Sequence, residues 1–356
     1  MKPRVLMVGR SRYRLPLSGA LERKFDALGA EFDVRVLASG IGKDPRFRLV
    51  PPRATLDGAR FWAELPFRIW WEIESFEPDA VLVQSPYEAA AALLARRSEP
   101  VILEVHGDWR TATRLYGSGA REVLAPVADR VALEAVRRAE AVRTISTYTT
   151  ELVRAAGVEP AATFPAFMDL EPFLGPVEPL PAESSALFVG VLERYKDVDG
   201  LADAWRLAAP RLPGVTLRIV GTGTRTHAVE GLVQSEWTAS VPNDEVAGLL
   251  DAATALVLPS RSEGLGRIVV EALCRGRPVV ATSVGGITDL VRDGENGLLV
   301  PSRDPRALAD ALVQVLSDPE LAARLAAGAR PSVEPWLATP EDYARRTRAL
   351  VEQVMR

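Results

Sequence analysis

The chain alternates between strands and helices, stops, and then alternates again. "PRVLMVG" (3–9) is a short apolar run ending in glycine, as a buried parallel strand does. "SGALERKFDALGA" has helical spacing, and "FDVRVLA" (32–38) alternates like a strand. "FWAELPFRIWWEIESF" reads as a helix interrupted or begun near Pro66. "PDAVLVQS" (78–85), "PVILEVHG" (100–107) and "AVRTIS" read as strands. "YEAAAALLARR", "APVADRVALEAVRRA" and "TYTTELVRAAG" read as helices, the last ended by Gly157. Repeated strand–helix units imply a parallel sheet with helices on both faces.

The rhythm breaks at "FPAFMDLEPFLGPVEPLPAESS" (164–185), which holds five prolines and no clear periodicity. It then restarts. "ALFVGVL", "VTLRIVGTG", "TALVLPS" and "RPVVAT" read as strands and "GLLV" as a short one. "VDGLADAWRLAAPRL", "NDEVAGLLDAA", "GRIVVEALCRG" and "DPRALADALVQVLSD" read as helices. After a break near Trp336, "TPEDYARRTRALVEQVMR" begins a last helix, with Thr339 as its cap, Pro340 at its first position and Asp342 in its first turn. The expectation is an α/β protein of two doubly wound Rossmann-like domains facing a central cleft. Their bounds are 1–170 and 186–335, with a linker at 171–185 and a helix at 336–356 packing back on the first domain. Such sheets bind ligands at strand carboxyl ends. That directs attention to the exits after Val8, Gln84, Val105, Ile145, Val189, Val220, Leu258 and Thr282.

Composition narrows the classes. A net charge of -4 suggests no nucleic-acid role. The single cysteine, Cys274, rules out an internal disulfide and fits a reducing compartment; it is read as buried. "MKPRVLMVGRSRYR" has too short an apolar run for a signal peptide, and no uncharged apolar run approaches the roughly 18 residues of a membrane span. The chain reads as cytoplasmic, with contact at the inner face of a membrane left open. Only four residues are lysine: Lys2, Lys24, Lys43 and Lys196.

The chemistry concentrates in "PSRSEGLGRIVVEALCRG". A strand ends at Leu258, a glycine-rich turn follows, and a helix begins near Leu265. The free N–H groups of a first helical turn favour anions, and Gly264 and Gly266 allow close approach, so the turn suits a phosphate or diphosphate. Glu263 and Glu271 flank it. They are eight positions apart, a little over two helical turns, which would put both carboxylates near one face roughly 12 Å apart. Carboxylates accept from sugar hydroxyls. Hydroxyl, diphosphate, hydroxyl is the layout of a nucleoside diphosphate sugar. Two solvated glutamates on an ordinary helix are the plainer alternative.

The run "LPSRSEGLGRIVVEALCRGRPVVATSVGGITDLVRDGENGLLVPSRDP" resembles the donor-binding motif of glycosyltransferase family 4, retaining enzymes of the B-type fold. "LFVGVLERYKDVDGLADAW", "VTLRIVGTG", "ASVPNDEVAGLLDAATALVLPS", "VRTISTYTTELV" and "EVHGDW" resemble other segments of that family. The resemblance implies an acceptor-side first domain and a donor-binding second one. It implies that Glu263 contacts the donor sugar and Glu271 the ribose, around a phosphate site at Gly264, Leu265, Gly266 and Arg267. It makes Lys196 a diphosphate ligand and His106 a support of the reaction centre, so that His106 and Glu263 form the catalytic pair. The family commonly has two glycines before its first helix; here they are Ser18 and Gly19, and Gly19 is the candidate for close approach. Where the family usually carries an arginine directly after the glycine, this chain has Val191; Arg194 or Arg267 could supply the missing charge. Amides, arginines and a lysine take the place of a metal, so neither metal nor cofactor is expected. The implied partners are a nucleotide sugar and a hydroxyl acceptor: a saccharide, a lipid-linked compound or a small molecule. The implied reaction is front-side transfer with retention.

Several features stay open. Arg10, Arg12 and Arg14 could meet an anionic acceptor or form an exposed loop. The tryptophan-rich helix could meet a membrane surface for a lipid-linked acceptor, or pack on the sheet. Ser85 and Tyr87 lie at another strand exit, and His227 reads as loop. Three other functions compete. A nicotinamide-dependent oxidoreductase would need a third glycine where "VGTGTRT" has Thr226. A same-fold epimerase and a nucleotide-sugar-binding protein without transfer are the others, and Val191 is the best support for the last.

Overall fold

The computed structural model describes residues 2–17, 19–52, 57–114 and 119–355. They form two compact units. Unit 1 takes the chain up to Thr113, the stretch ending at Phe167 and the segment from Ala338; unit 2 holds Met168–Leu337. The first stretch comprises β1 (Arg4–Arg14), α1 (Gly19–Glu31), β2 (Asp33–Ile41), β3 (Phe47–Val50), α2 (Asp57–Phe76), β4 (Ala80–Val83) and α3 (Pro86–Ala95). It continues with β5 (Val101–Val105), α4 (Trp109–Arg114), α5 (Gly119–Arg138), β6 (Ala141–Thr144), α6 (Thr147–Ala155) and β7 (Ala162–Thr163). The strands pair in parallel in the order β3-β2-β1-β4-β5-β6-β7.

Successive strand residues point to opposite faces, so each strand feeds two cores. Leu6, Val8, Val81, Val83, Leu103 and Val105 pack under α2 and α3. Val5, Met7, Leu82 and Ile102 pack with Phe25 and Leu28 of α1. In α2, Phe61, Leu65, Ile69 and Ile73 recur every four residues and are buried, and the helix runs through Pro66. The opposite side leaves Phe67 66%, Trp70 38% and Trp71 58% exposed. The plain reading of this segment as a helix packed on the sheet therefore describes one of its faces.

The expected end of β1 at Val8 is corrected. After an irregularity between Val8 and Arg12 the strand continues to Arg14, because Arg12, Tyr13 and Arg14 find partners in Ser39, Gly40 and Ile41 of a longer β2. Tyr13 turns inward against Phe25 and Phe47, while Arg10, Arg12 and Arg14 stay exposed. The three arginines thus ride on strand rather than loop. β3 and the short β7 lack a strong period of their own and complete the sheet by pairing with β2 and β6.

In unit 2 the elements are β8 (Ser185–Val189), α7 (Val198–Ala208), β9 (Thr216–Val220), β10 (Ser235–Thr238), α8 (Val246–Asp251), β11 (Ala255–Leu258) and α9 (Arg267–Cys274). They continue with β12 (Val279–Thr282), α10 (Ile287–Leu290), β13 (Gly297–Val300), α11 (Pro305–Ser317) and α12 (Pro319–Ser332). The strand order is β10-β9-β8-β11-β12-β13, again parallel. The proline-rich stretch is fastened to this unit. Phe173 is fully buried, Arg277 donates to the carbonyls of Glu178 and Pro179 at 2.7 and 3.2 Å, and Arg330 donates to those of Phe173 and Leu174. The last helix, α13 (Pro340–Val354), belongs to unit 1. Thr339 and Asp342 form its capping box, and Arg348 donates to the Glu31 carbonyl at the end of α1 at 2.7 Å. Cys274 is buried, as expected.

Candidate functional site

In unit 2 the sheet changes direction between β8 and β11, and ligands of such sheets bind outside the strand ends at that point. The two exits there are the segments 190–196 and 259–266. Close backbone approach holds both in shape. A Cβ at Gly221 would fall 1.8 Å from the Gly190 carbonyl oxygen, and one at Gly223 would fall 2.3 Å from that of Leu192. The glycines of "VGTGTRT" therefore seat the β9 exit against the β8 exit, which explains them without a dinucleotide fingerprint. On the other side, Cβ atoms at Gly285 and Gly286 would meet the carbonyl oxygens of Glu263 and Gly264 at 1.9 and 2.2 Å. The Gly286 amide donates to the Glu263 carbonyl at 3.0 Å.

Within this frame the predicted residues come together as charge pairs. Lys196 Nζ lies 2.5 Å from Glu263 Oε1, and each side chain is only 11% exposed. Ser260 Oγ donates to the same carboxylate oxygen at 2.8 Å. Arg267 Nε lies 2.5 Å from Glu271 Oε1. Burial pushes the Glu271 carboxyl above the ordinary carboxylate range, while the Arg267 guanidinium pulls the other way. Leu265 is buried, and Gly266 caps α9 in the left-handed conformation at φ 91°. The first N–H groups of α9 have no acceptor within the helix.

The expected spacing of the two carboxylates is corrected. Helix α9 begins at Arg267, so Glu263 lies in the turn before it and not two turns away on the same helical face. Gly266 explains the difference: its positive φ ends the extended turn and resets the chain for the helix. Arg194 opens a 3₁₀ turn with Lys196 and its side chain is exposed, whereas Lys196 is buried. Val191 is exposed beside them.

Sequence reasoning missed a further pair. The Arg261 guanidinium donates to the Asp197 carboxylate, and the Arg261 amide donates to the Tyr195 carbonyl at 2.7 Å. Asp197 is buried with φ 51°, so this link pins the turn that carries Lys196 to the turn that carries Glu263. The one signal in the sequence was the charge of "RS" directly before "EG". Among the described residues no group of three or more His, Cys, Asp or Glu side chains is placed to hold a metal ion.

Unit 1 has its own cluster at the β5 exit. His106 follows the strand directly, and its Nε2 lies 3.5 Å from Glu104 Oε2. Glu104 is paired with the fully buried Arg143, Nη1 to Oε1 at 2.9 Å. Burial alone would raise the Glu104 carboxyl, but Arg143, His106 and Lys24 together hold it at about 2. Arg143 stacks over Phe164 at 4.3 Å, and Tyr343 of α13 closes the cluster. At the neighbouring β4 exit Ser85 caps α3 and donates to Glu88, while Tyr87 donates to the Trp109 carbonyl at 3.2 Å. Both are bonded into the local structure. Gly19 opens α1, where an added Cβ would meet only the tip of Arg23, at 3.7 Å. Ser18, its partner in the expected glycine pair, lies outside the described residues. His227 lies in a short 3₁₀ turn after β9.

Both halves of the chain resemble known proteins. Residues 20–171 match the family pattern described as "Glycosyltransferase Family 4", and residues 183–318 match "Glycosyl transferases group 1". The chain belongs to the family 4 glycosyltransferases. One curated relative, a D-inositol 3-phosphate glycosyltransferase of Frankia alni, is 37% identical over 177 residues, 45% of this chain and 44% of that one. A glycogen synthase of Mycobacterium tuberculosis is 37% identical over 184 residues, 48% of this chain and 41% of its own. The matches therefore span less than half the length of these relatives. Solved structures of the same two-domain fold include sucrose-phosphate synthase from Thermosynechococcus elongatus, with TM-score 0.79, 20% identity and 99% of both chains covered. Another is Anabaena HepE in complex with UDP, with TM-score 0.69, 18% identity, and 99% of this chain and 100% of that one covered. No helix among the described residues of this family member is long and apolar enough to cross a membrane.

Proposed function

We propose that the protein transfers a sugar from a nucleoside diphosphate sugar to a hydroxyl acceptor with retention of configuration and without a metal. The observation that carries this reading is the pairing in unit 2 of two cations with two carboxylates around the amino end of α9. Diphosphate oxygens suit Lys196, Arg267 and the first amides of the helix. Hydroxyls of the transferred sugar suit Glu263, and ribose hydroxyls suit Glu271. In front-side transfer the acceptor oxygen bonds to the anomeric carbon on the face from which the diphosphate leaves. The acceptor proton passes to the departing phosphate. The charge developing on that phosphate is the reason for the cations beside it. In unit 1, His106, held by Glu104, is the candidate for the supporting histidine that the family resemblance implies. The names of the relatives support sugar transfer, and the UDP in the HepE complex supports the donor class.

Thermal-shift screening of nucleotide sugars, followed by mass spectrometry of products with candidate acceptors, tests the proposal. A donor that stabilises the protein and yields a glycosylated acceptor supports it; the absence of any stabilising donor sinks it. Val191 favours one second reading. An exposed aliphatic side chain stands where the family usually has an arginine, which would suit a protein that binds a nucleotide sugar without transferring it. A radiolabelled donor that binds but is never turned over would select that reading. An epimerase would instead return an isomerised donor.

A further inference from the structure

Arg267 has a feature that diphosphate binding alone does not explain, and its use depends on the donor reading above. Arginine at the first position of a helix opposes the helix dipole, which favours anions there. Its guanidinium is turned one helical turn along to Glu271, Nε to Oε1 at 2.5 Å. The two side chains differ in burial: Glu271 is 6% exposed and Arg267 48%. The carboxylate assigned to the ribose is thus covered by a cation that is itself half in solvent. Lys196 also pairs with the sugar-facing carboxylate Glu263, but there both side chains are buried to the same extent.

We propose that Arg267 is a specificity-determining latch: it covers Glu271 until a diphosphate draws the guanidinium away, so ribose hydroxyls are captured only from a ligand that also brings phosphates. A nucleoside has to break the Arg267–Glu271 pair and offers the arginine nothing in return. A nucleoside diphosphate offers it a new anion, and the planar guanidinium can take two phosphate oxygens at once. Ribose and phosphate recognition are then coupled, and their contributions do not add. The latch also assigns the first-turn cation a use that helix stability alone does not give it.

The test begins with UDP, GDP, ADP, CDP and dTDP, taking the one that raises the melting temperature most together with its matching nucleoside. Affinities of both are measured for the parent, Arg267→Gln and Arg267→Lys by calorimetry and ligand-observed NMR. Losing a charged hydrogen-bond donor should weaken the diphosphate about tenfold or more in Arg267→Gln. The same change should tighten the nucleoside by about threefold, because Glu271 is uncovered. Arg267→Lys should keep the parent's preference for the diphosphate. A nucleoside affinity that falls with that of the diphosphate, or stays unchanged, overturns the latch and leaves the donor reading intact. If no diphosphate stabilises the parent, the donor reading falls and the latch with it. Should Arg267→Gln fail to fold, Arg267→Met makes the same comparison with the same deciding result.

Discussion

Glu88 should make unit 1 less stable as the pH rises, and its replacement by glutamine should remove that loss. Its carboxyl lies in the first turn of α3, is 3% exposed, and accepts from Ser85. Burial pushes it up to about 7 from an ordinary 4.5, against the opposing pull of backbone amides and the Arg10 charge. The folded state therefore holds a proton that the unfolded chain has lost between those two values. Stability is unaffected below about pH 4.5, declines through the window, and carries the whole penalty above about pH 7. The gap between the two values corresponds to up to about 3 kcal/mol. Glutamine keeps the shape and the acceptor for Ser85 and has no proton to lose. Glu88→Gln should match the parent at pH 5 and exceed it at pH 8 by roughly 5–10 °C in melting temperature. Paired thermal and urea unfolding at the two pH values decides. A difference between the two proteins that is the same at pH 5 and pH 8 refutes the reasoning.

Glu104 should behave with the opposite sign: held at about 2, it stabilises above the unfolded value of 4.5 and loses that contribution as the pH falls toward 2. Glu104→Gln should cost about 3–5 kcal/mol at pH 7 in urea unfolding, because Arg143 loses its buried counter-charge. Glu271→Ala should weaken binding of the free nucleoside diphosphate by roughly tenfold to a hundredfold, about 1.5–3 kcal/mol, in calorimetry. Glu263→Ala should leave that affinity within about threefold while turnover of the sugar donor collapses, since its hydroxyl contacts matter where the sugar must be aimed.

Much of this was legible in the sequence because the relevant signals are local. Apolar runs bounded by glycine or proline marked β4, β5, β8, β11 and β12, and "EGLG" marked the turn before α9. What stayed hidden depends on contacts between distant segments. The continuation of β1 to Arg14 needs the end of β2 as its partner, and no period in "RSRYR" announces that. The eight positions from Glu263 to Glu271 match a helical repeat and so suggest one shared face. The left-handed backbone of Gly266 breaks that count, and a glycine alone does not say which sign its φ will take. The Arg261–Asp197 pair joins residues 64 apart in the chain. By contrast, "RPVVATSVGG" displayed the two glycines that seat the turn, but their use appears only once the Glu263 and Gly264 carbonyls lie against them.

The paired charges also explain how a site proposed for anions and hydroxyls stays folded. Two cations and two carboxylates sum to zero, and each is satisfied by a neighbour from the same set. An unpaired carboxylate at the depth of Glu271 would carry the desolvation cost without relief, and so would an unpaired Lys196. A nucleoside diphosphate sugar brings both partners that the exchange needs, phosphates for the cations and hydroxyls for the carboxylates. Net affinity is then the difference between the new contacts and the old pairs, and it falls well below what the contacts alone would suggest. A ligand with one half of the set breaks a pair and leaves one of its members without a new partner. Under the proposed function the arrangement selects for the complete donor by the same pairing that keeps the turn folded, and Gly285 and Gly286 seat that turn at the Glu263 and Gly264 carbonyls.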